Sequence, residues 1–181
     1  MIKNLVFSGA GTKIYSFIGA LKVLEEKDLL KNIENIIGTS SGSIMGIFVC
    51  LGFKVKEIED ILIHIDTESL KDIDSNSIFN FFTDYGIDDG KNIRRIMNII
   101  LKAKLKKDSI TFKEFYELNK INFTICATNL NKNEPTFFNH KNTPNMCITE
   151  AIMMSICIPL LFKPIFYEGH YYVDGGLTNN Y

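Results

Sequence analysis

The chain has 181 residues, 46% of them hydrophobic, which fits one folded domain spanning 1–181 and excludes a disordered protein. Its formal net charge of -1 offers no polyelectrolyte attraction, so we expect no nucleic-acid partner. There is no run of roughly 18 uninterrupted apolar residues that would predict a transmembrane segment, and the N-terminus lacks the layout of a signal peptide. We therefore expect a cytoplasmic protein that is at most peripheral to membranes.

The first half of the chain alternates short apolar runs with helical patterns. Runs at 2–7 and 33–37 end at turns rich in glycine and serine, which is typical of buried strands. Apolar spacing predicts helices over 13–27, 41–51 and 55–64, the second of them apolar on all sides and therefore buried. Residues 66–86 are the least regular stretch, with Asp, Ser and Asn beside several aromatic side chains.

The same alternation continues through the second half. The capping box Thr111-Phe112-Lys113-Glu114 predicts the start of a short helix, because the two end side chains can satisfy each other's backbone N–H groups. The further elements are a helix after Gly90 with a basic end at 102–107, a helix over 148–155, and strands at 121–128, 136–138, 165–167 and 171–173. Strands that alternate with helices indicate an α/β layered sandwich with a largely parallel central sheet flanked by helices.

The cysteines and histidines do not form a recognisable metal site. No two cysteines make a C-x-x-C pair, and the histidines are far apart without ligand spacing. We therefore expect reduced thiols in a cytosolic protein and no metal. The residues concerned are Cys50, Cys126, Cys147, Cys157, His64, His140 and His170.

Gly38-Thr39-Ser40-Ser41-Gly42 is a G-x-S-x-G sequence between a predicted strand and a predicted helix. A sharp strand-to-helix turn exposes the central serine hydroxyl above the sheet, and flanking glycines remove side chains that would crowd it. The new helix directs free N–H groups and its positive pole at that serine. The pattern favours Ser40 as a nucleophile. The alternative is an ordinary loop in which Ser40 or Ser41 caps the helix.

A second glycine-rich segment, Ser8-Gly9-Ala10-Gly11-Thr12-Lys13, also joins a strand to a helix. Its backbone N–H groups can stabilise an oxyanion or bind a phosphate. The P-loop spacing fails because Lys13 directly precedes Ile14, and the dinucleotide pattern fails because Ile14 occupies the position of the third glycine. Taken alone, the segment leaves both uses open.

Asp174-Gly175-Gly176 lies at the end of the last predicted strand. A carboxylate beside two glycines can approach another backbone closely, and a simple turn is the alternative.

Together and in this order, the three segments resemble the patatin-like phospholipases, the patatin/PNPLA-type serine acyl hydrolases. That family has a glycine-rich oxyanion loop, a G-x-S-x-G elbow and a D-G-[GA] motif near the end of its catalytic core. The resemblance runs from Gly9 to Gly176, nearly the full chain. Further segments similar to the family are 18–25, 151–155, 158–159, 162–164, and 174–177 with Asn180.

The chain departs from the family pattern in the oxyanion loop. That loop usually has three glycines, a variable residue, a basic residue and a glycine; here Ala10 replaces the middle glycine, Ile14 replaces the last, and Lys13 keeps the charge. The Ala10 N–H remains a usable donor if its φ angle is negative. The chain also stops at Tyr181, sooner after the D-G-G motif than is usual, which leaves open whether closing helices or strands lie outside it.

The resemblance implies a lipid acyl hydrolase of the phospholipase A or lysophospholipase type, acting without a cofactor on lipid at a membrane or micelle surface. Ser40 would be the nucleophile, Asp174 its base, and the N–H groups of Gly9, Ala10 and Gly11 the oxyanion hole. Because a carboxylate is a weak base toward a hydroxyl, burial would have to raise its pKa. The chain has 14 phenylalanines, and aromatic residues are frequent in 66–86. These aromatic residues fit either a lid at a membrane-facing edge or ordinary core.

Three alternatives remain. The Ser, acid, His order of α/β-hydrolases is not possible because no histidine follows Asp174, although His140 or His170 could approach Ser40 in another order. The substitutions at Ala10 and Ile14 motivate a catalytically weak lipid-binding or regulatory module. The third alternative is a phosphate- or nucleotide-binding domain that uses the glycine-rich loop.

Overall fold

The structure is a computed structural model that describes residues 2–65 and 81–181. Its strands are β1 Asn4–Phe7, β2 Asn35–Thr39, β3 Gly86–Asp88, β4 Asn122–Asn129, β5 Glu134–Phe138, β6 Leu160–Phe162, β7 Ile165–Tyr167 and β8 His170–Asp174. Its α-helices are α1 Ser16–Glu26, α2 Ser41–Cys50, α3 Val55–His64, α4 Phe81–Asp84, α5 Lys91–Leu105, α6 Phe112–Asn119 and α7 Ile148–Ser155. Short 3-10 helices lie at Gly11–Tyr15, Leu29–Asn32 and Gly175–Leu177.

The central sheet has the order β1-β2-β4-β8-β7, with β5 also paired to β4. β1, β2 and β4 are parallel to one another, whereas β5 and β8 are antiparallel to β4, and β7 is antiparallel to β8. The α/β prediction is confirmed, but the sheet is mixed rather than largely parallel. Tight turns after β4 and β7 account for the antiparallel pairs β4–β5 and β7–β8, because a short turn can only join antiparallel strands.

One edge of β4 is shared end to end by two strands. β2 pairs with its first part, ending where Thr39 faces Cys126, and β8 pairs with its last part, beginning where Asp174 faces Ala127. Because β2 is parallel and β8 antiparallel to β4, the C-terminal ends of both strands meet at adjacent residues of β4. This register places the G-x-S-x-G turn directly beside Asp174.

Helix α2 packs on β1, β2 and β4, and eight of its ten residues are buried, as the apolar sequence predicts. Helix α7 packs on β4 and β8, and α1 packs against α3. Fully buried aliphatic side chains such as those of Ile36 and Ile47 each contribute roughly 1.5–3 kcal/mol of transfer free energy. The core therefore holds α2 against the sheet that contains β2, and so fixes both sides of the turn that carries Ser40.

Several sequence predictions are corrected by the structure. The helix predicted over 13–27 begins as the 3-10 helix Gly11–Tyr15 and becomes α-helical only at Ser16. The parallel pair β3 and β6 is not predicted from the sequence, since each strand has only three residues. Of the irregular stretch 66–86, only 81–86 lies within the described residues, where it forms α4 and the start of β3. Most of the stretch for which a lid or ordinary core is expected therefore lies outside the described residues.

Candidate active site

Ser40 lies in the turn between β2 and α2, in the strand–turn–helix context that the sequence predicts. Its backbone has φ 53° and ψ -131°, a conformation that residues other than glycine rarely adopt. The flanking glycines make this turn possible. A Cβ on Gly38 would lie 2.5 Å from the Cα of Ser43, and one on Gly42 would collide with the carbonyl oxygens of Phe7 and Ser8.

Two other serines hold the strained backbone of Ser40. The N–H of Ser40 donates to Ser155 Oγ at 2.8 Å, and Ser155 Oγ donates in turn to the carbonyl of Cys126 on β4 at 2.6 Å. Ser43 Oγ donates to the carbonyl of Ser40 at 2.6 Å. Ser155 and Ser43 are both fully buried, so these bonds are shielded from water. Strained conformations persist only where neighbours fix them in this way.

Ser40 and Asp174 are in direct contact. Ser40 Oγ donates to Asp174 Oδ2 at 2.6 Å, and both residues are buried, with 6% and 7% of their surface exposed. The Gly176 N–H donates to the other carboxylate oxygen at 2.8 Å, and the Asp174 N–H donates to the carbonyl of Cys157. Burial raises the pKa of Asp174 above its usual range, and the hydrogen bonds from Ser40 and Gly176 oppose that rise. The carboxylate is therefore a stronger base than one in water.

The glycine-rich loop lies against the same turn. The Gly9 N–H donates to Asn180 Oδ1 at 2.6 Å and the Ala10 N–H donates to Ser41 Oγ at 3.0 Å. Ala10 has φ -133°, which is the condition under which its N–H can replace that of the usual glycine. Gly11 has φ +52° and begins the 3-10 helix, where the first N–H groups have no acceptor within the helix. Lys13 is exposed, and its N–H closes the turn on the Ala10 carbonyl.

The histidines lie elsewhere. His64 is exposed at the end of α3, His140 stacks on Tyr116 with ring centroids 3.8 Å apart, and His170 begins β8. Among the hydrogen bonds of the described residues, the Ser40 hydroxyl donates to Asp174 and not to a histidine. This geometry does not support the alternative triad.

All four cysteines are free thiols, and Cys50, Cys126 and Cys157 are buried. Burial raises the pKa of Cys126 to about 11 and that of Cys157 to about 12. The negative charge of Asp174 adds to both rises in pKa, and a hydrogen bond with Thr39 opposes the rise at Cys126. Since the thiolate is the reactive form, neither thiol is a competent nucleophile at neutral pH.

Within residues 2–65 and 81–181, no group of three or more His, Cys, Asp or Glu residues is placed to hold a metal ion. Over the same ranges, none of the helices has the length and apolar character needed to cross a membrane.

Sequence reasoning assigns no role to three residues that contact the site. Ser155, Ser43 and Asn180 contact the site through single hydrogen bonds, and the sequence carries no signal for such pairings. Ser155 and Asn180 do lie in segments that match the family pattern, which is the signal that could have drawn attention to them.

Several known proteins are similar to this chain in sequence. Residues 5–181 match the family model described as "Patatin-like phospholipase". The uncharacterized protein R571 of Acanthamoeba polyphaga mimivirus is 32% identical over 181 residues, covering 99% of this chain and 60% of that protein. The probable lipid hydrolase 463L of Invertebrate iridescent virus 6 is 31% identical over 179 residues, covering 99% and 61%.

A solved structure shows the same fold. The crystal structure of VipD from Legionella pneumophila matches with a TM-score of 0.74 at 20% identity, over 99% of this chain and 46% of VipD. The chain covers about three fifths of the length of the two viral relatives, the mimivirus protein R571 and the iridescent virus protein 463L.

Proposed function

The chain belongs to the patatin-like phospholipase family, and we propose that it is a lipid acyl hydrolase that cleaves acyl esters through Ser40 and Asp174. The observation that carries the proposal is the 2.6 Å hydrogen bond from the Ser40 hydroxyl to the buried Asp174 carboxylate. A serine in a strand-to-helix elbow that is bonded to a base has the geometry of an activated nucleophile.

The proposed reaction has two steps. Ser40 Oγ attacks the ester carbonyl while its proton moves to Asp174, and the alcohol of the ester leaves with that proton. Asp174 then takes a proton from water, which attacks the acyl-enzyme, and the fatty acid is released as Ser40 recovers its hydroxyl. The raised pKa of Asp174 makes both proton transfers less uphill.

We propose the glycine-rich loop as the oxyanion hole. Of its three predicted donors, the N–H groups of Gly9 and Ala10 already donate to Asn180 and Ser41. We therefore assign the oxyanion contact to the Gly11 N–H, with the nearby α2 N-terminus adding a positive pole and Lys13 adding charge.

Exposed apolar side chains near the dyad support a lipid substrate. Leu177 is 59% exposed and lies three residues after Asp174. Ile158, 41% exposed, directly follows Cys157, whose carbonyl accepts the Asp174 N–H, and Leu160 is 62% exposed. Apolar surface beside a buried ester-cleaving site suits a substrate presented by a membrane or micelle, to which we propose the protein attaches peripherally.

The catalytic assignment is tested by labelling with a fluorophosphonate probe and by hydrolysis of a short-chain ester. Wild-type protein should be labelled at Ser40, while Ser40→Ala and Asp174→Asn should lose turnover by several orders of magnitude and remain folded. Replacing His140 or His170 by alanine should leave turnover unchanged. If wild-type protein is folded but neither labelled nor active, the catalytic proposal is wrong and the two non-catalytic alternatives, a lipid-binding module and a phosphate- or nucleotide-binding domain, are left.

The lipid surface is tested by a pair of matched substitutions. Activity on phospholipid should rise as the lipid passes its critical micelle concentration, and Leu177→Ser should reduce that rise while leaving hydrolysis of a soluble ester intact. Leu118→Ser is the control, because Leu118 is 61% exposed but lies on α6. Equal effects of the two substitutions, or a smooth saturation curve through the micelle point, would argue for a soluble ester as substrate.

A further inference from the structure

Asn180 lies between the glycine-rich loop and the turn that carries Asp174. Its Oδ1 accepts the Gly9 N–H at 2.6 Å, across 171 residues of sequence. A Cβ on Gly9 would lie 2.9 Å from that oxygen and 3.1 Å from the Cβ of Ser40. The Gly9 backbone therefore lies close to both the Asn180 side chain and Ser40, and there is no room for a side chain at this position.

The segment before Asn180 is itself fixed to the sheet. Thr39 Oγ1, one residue before the nucleophile, donates to the Asn179 carbonyl at 3.2 Å. The Asn179 N–H donates to the carbonyl of Gly175 at 2.9 Å. On β4, Thr128 Oγ1 lies 2.8 Å from Thr178 Oγ1 and 2.8 Å from the carbonyl of Asp174. Asn180 thus follows a segment, residues 178–179, whose hydrogen bonds connect it to the neighbourhood of both Ser40 and Asp174.

We infer that Asn180 is a positioning residue that sets the distance of the glycine-rich loop from Ser40 and so aims the Gly11 N–H at the reacting carbonyl. This inference rests on the proposed function. Asparagine suits the task because its carboxamide oxygen accepts a hydrogen bond without carrying charge. A carboxylate at the same place would add negative charge beside the point where the oxyanion forms.

The opposite role would give the opposite result. If Asn180 merely occupied a donor that the substrate oxygen needs, removing its side chain would free the Gly9 N–H and raise turnover. The structural anchoring of residues 178 and 179 is the reason to expect positioning instead.

The experiment compares Asn180→Ala, Asn180→Asp and the neighbouring control Asn179→Ala, since the hydrogen bonds of Asn179 described above are made by its backbone. Hydrogen exchange of the Gly9 amide is measured by NMR, and kcat and KM are measured on p-nitrophenyl butyrate. Loss of one hydrogen bond in Asn180→Ala should speed Gly9 exchange and lower kcat, each about tenfold, with KM within about twofold. Asn179→Ala should change neither.

The aspartate variant separates the bond from the charge. Asn180→Asp keeps an acceptor of the same size, so Gly9 should stay protected while kcat falls because of the added charge. The inference would be overturned if Asn180→Ala left Gly9 exchange unchanged, or if exchange became faster while kcat stayed the same. A gain in kcat would also overturn it. The exchange measurement does not depend on catalysis. A folded wild-type protein without activity would therefore count against the proposed function, and not against the hydrogen bond by which Asn180 holds Gly9.

Discussion

Gly38→Ala is the sharpest steric test of the elbow. The added Cβ would lie 2.5 Å from the Cα of Ser43 and 2.7 Å from the carbonyl oxygen of Gly42. Non-bonded carbon atoms are best separated by about 3.5 Å, so β2 and the first turn of α2 must move apart by about 1 Å. β2 is held on both sides by the pairing of Gly38 with Phe7 and Ile125, so the helix turn and Ser40 should move.

The displacement acts on the Ser40–Asp174 hydrogen bond. Asp174 is fixed to the Cys157 carbonyl and does not follow α2, so its 2.6 Å distance to Ser40 should lengthen toward 3.6 Å, about 1 Å more, beyond hydrogen-bonding range. A misplacement of about 1 Å costs on the order of a hundredfold in turnover, or about 2.7 kcal/mol of transition-state stabilisation. Overpacking should also lower the free energy of unfolding by roughly 1–3 kcal/mol.

The assay measures kcat on p-nitrophenyl butyrate, the rate of fluorophosphonate labelling, and urea unfolding. Gly19→Ala is the control, because Gly19 lies exposed within α1 and a Cβ there meets nothing within 4 Å. That control should keep turnover and gain about 0.5–1 kcal/mol of stability. Turnover within threefold of wild type in a cooperatively folded Gly38→Ala protein would refute the steric argument. A loss that only tracks the unfolded fraction would show that stability, not placement, is affected.

Four further predictions concern the same site. Turnover should fall as the pH drops through the raised pKa of Asp174, because the proposed mechanism needs the carboxylate to accept the Ser40 proton, and a pH–kcat profile measures this. A raised pKa means that the folded state binds the proton more tightly, so charged Asp174 costs stability above that pKa. Asp174→Asn should therefore melt no lower than wild type at neutral pH, with any gain vanishing in acid. Ser155→Ala should lower the free energy of unfolding by roughly 1–3 kcal/mol in urea titrations, because two buried backbone groups lose their partner, and should slow turnover. Gly11→Val places a β-branched side chain at φ +52° and should reduce kcat about a hundredfold or more while thermal melting shifts by only a few degrees.

The sequence predicts most of the scaffold because its patterns are local. Helix α3 is predicted with the bounds it has, since Val55, Ile58 and Leu62 repeat at helical spacing and are buried together. The hairpin of β7 and β8 is predicted from Glu168-Gly169, and both residues have the positive φ that tight hairpin turns require. The contact between Ser40 and Asp174 is expected only through the family resemblance.

Other features depend on contacts that are distant in sequence. The antiparallel return of β8 onto the edge of β4 already used by β2 cannot be deduced from strand patterns, because a pattern specifies a face and not a neighbour. The pair β3 and β6 is too short to show a period. Ser155 is an ordinary helix residue in the sequence, and only the fold reveals that its hydroxyl supports the Ser40 backbone.

The edge of β4 that β2 and β8 share also has a consequence for the nascent chain during translation. Ser40 and Asp174 are 134 residues apart, so a ribosome completes the proposed nucleophile long before its proposed base. A nascent chain that already contains β1, β2 and α2 lacks β8, and closing so long a loop comes late because its entropy cost must be met before the contact forms. The proposed hydrolase would therefore remain inert toward lipids during translation, and its first turnover would report that the sheet has closed.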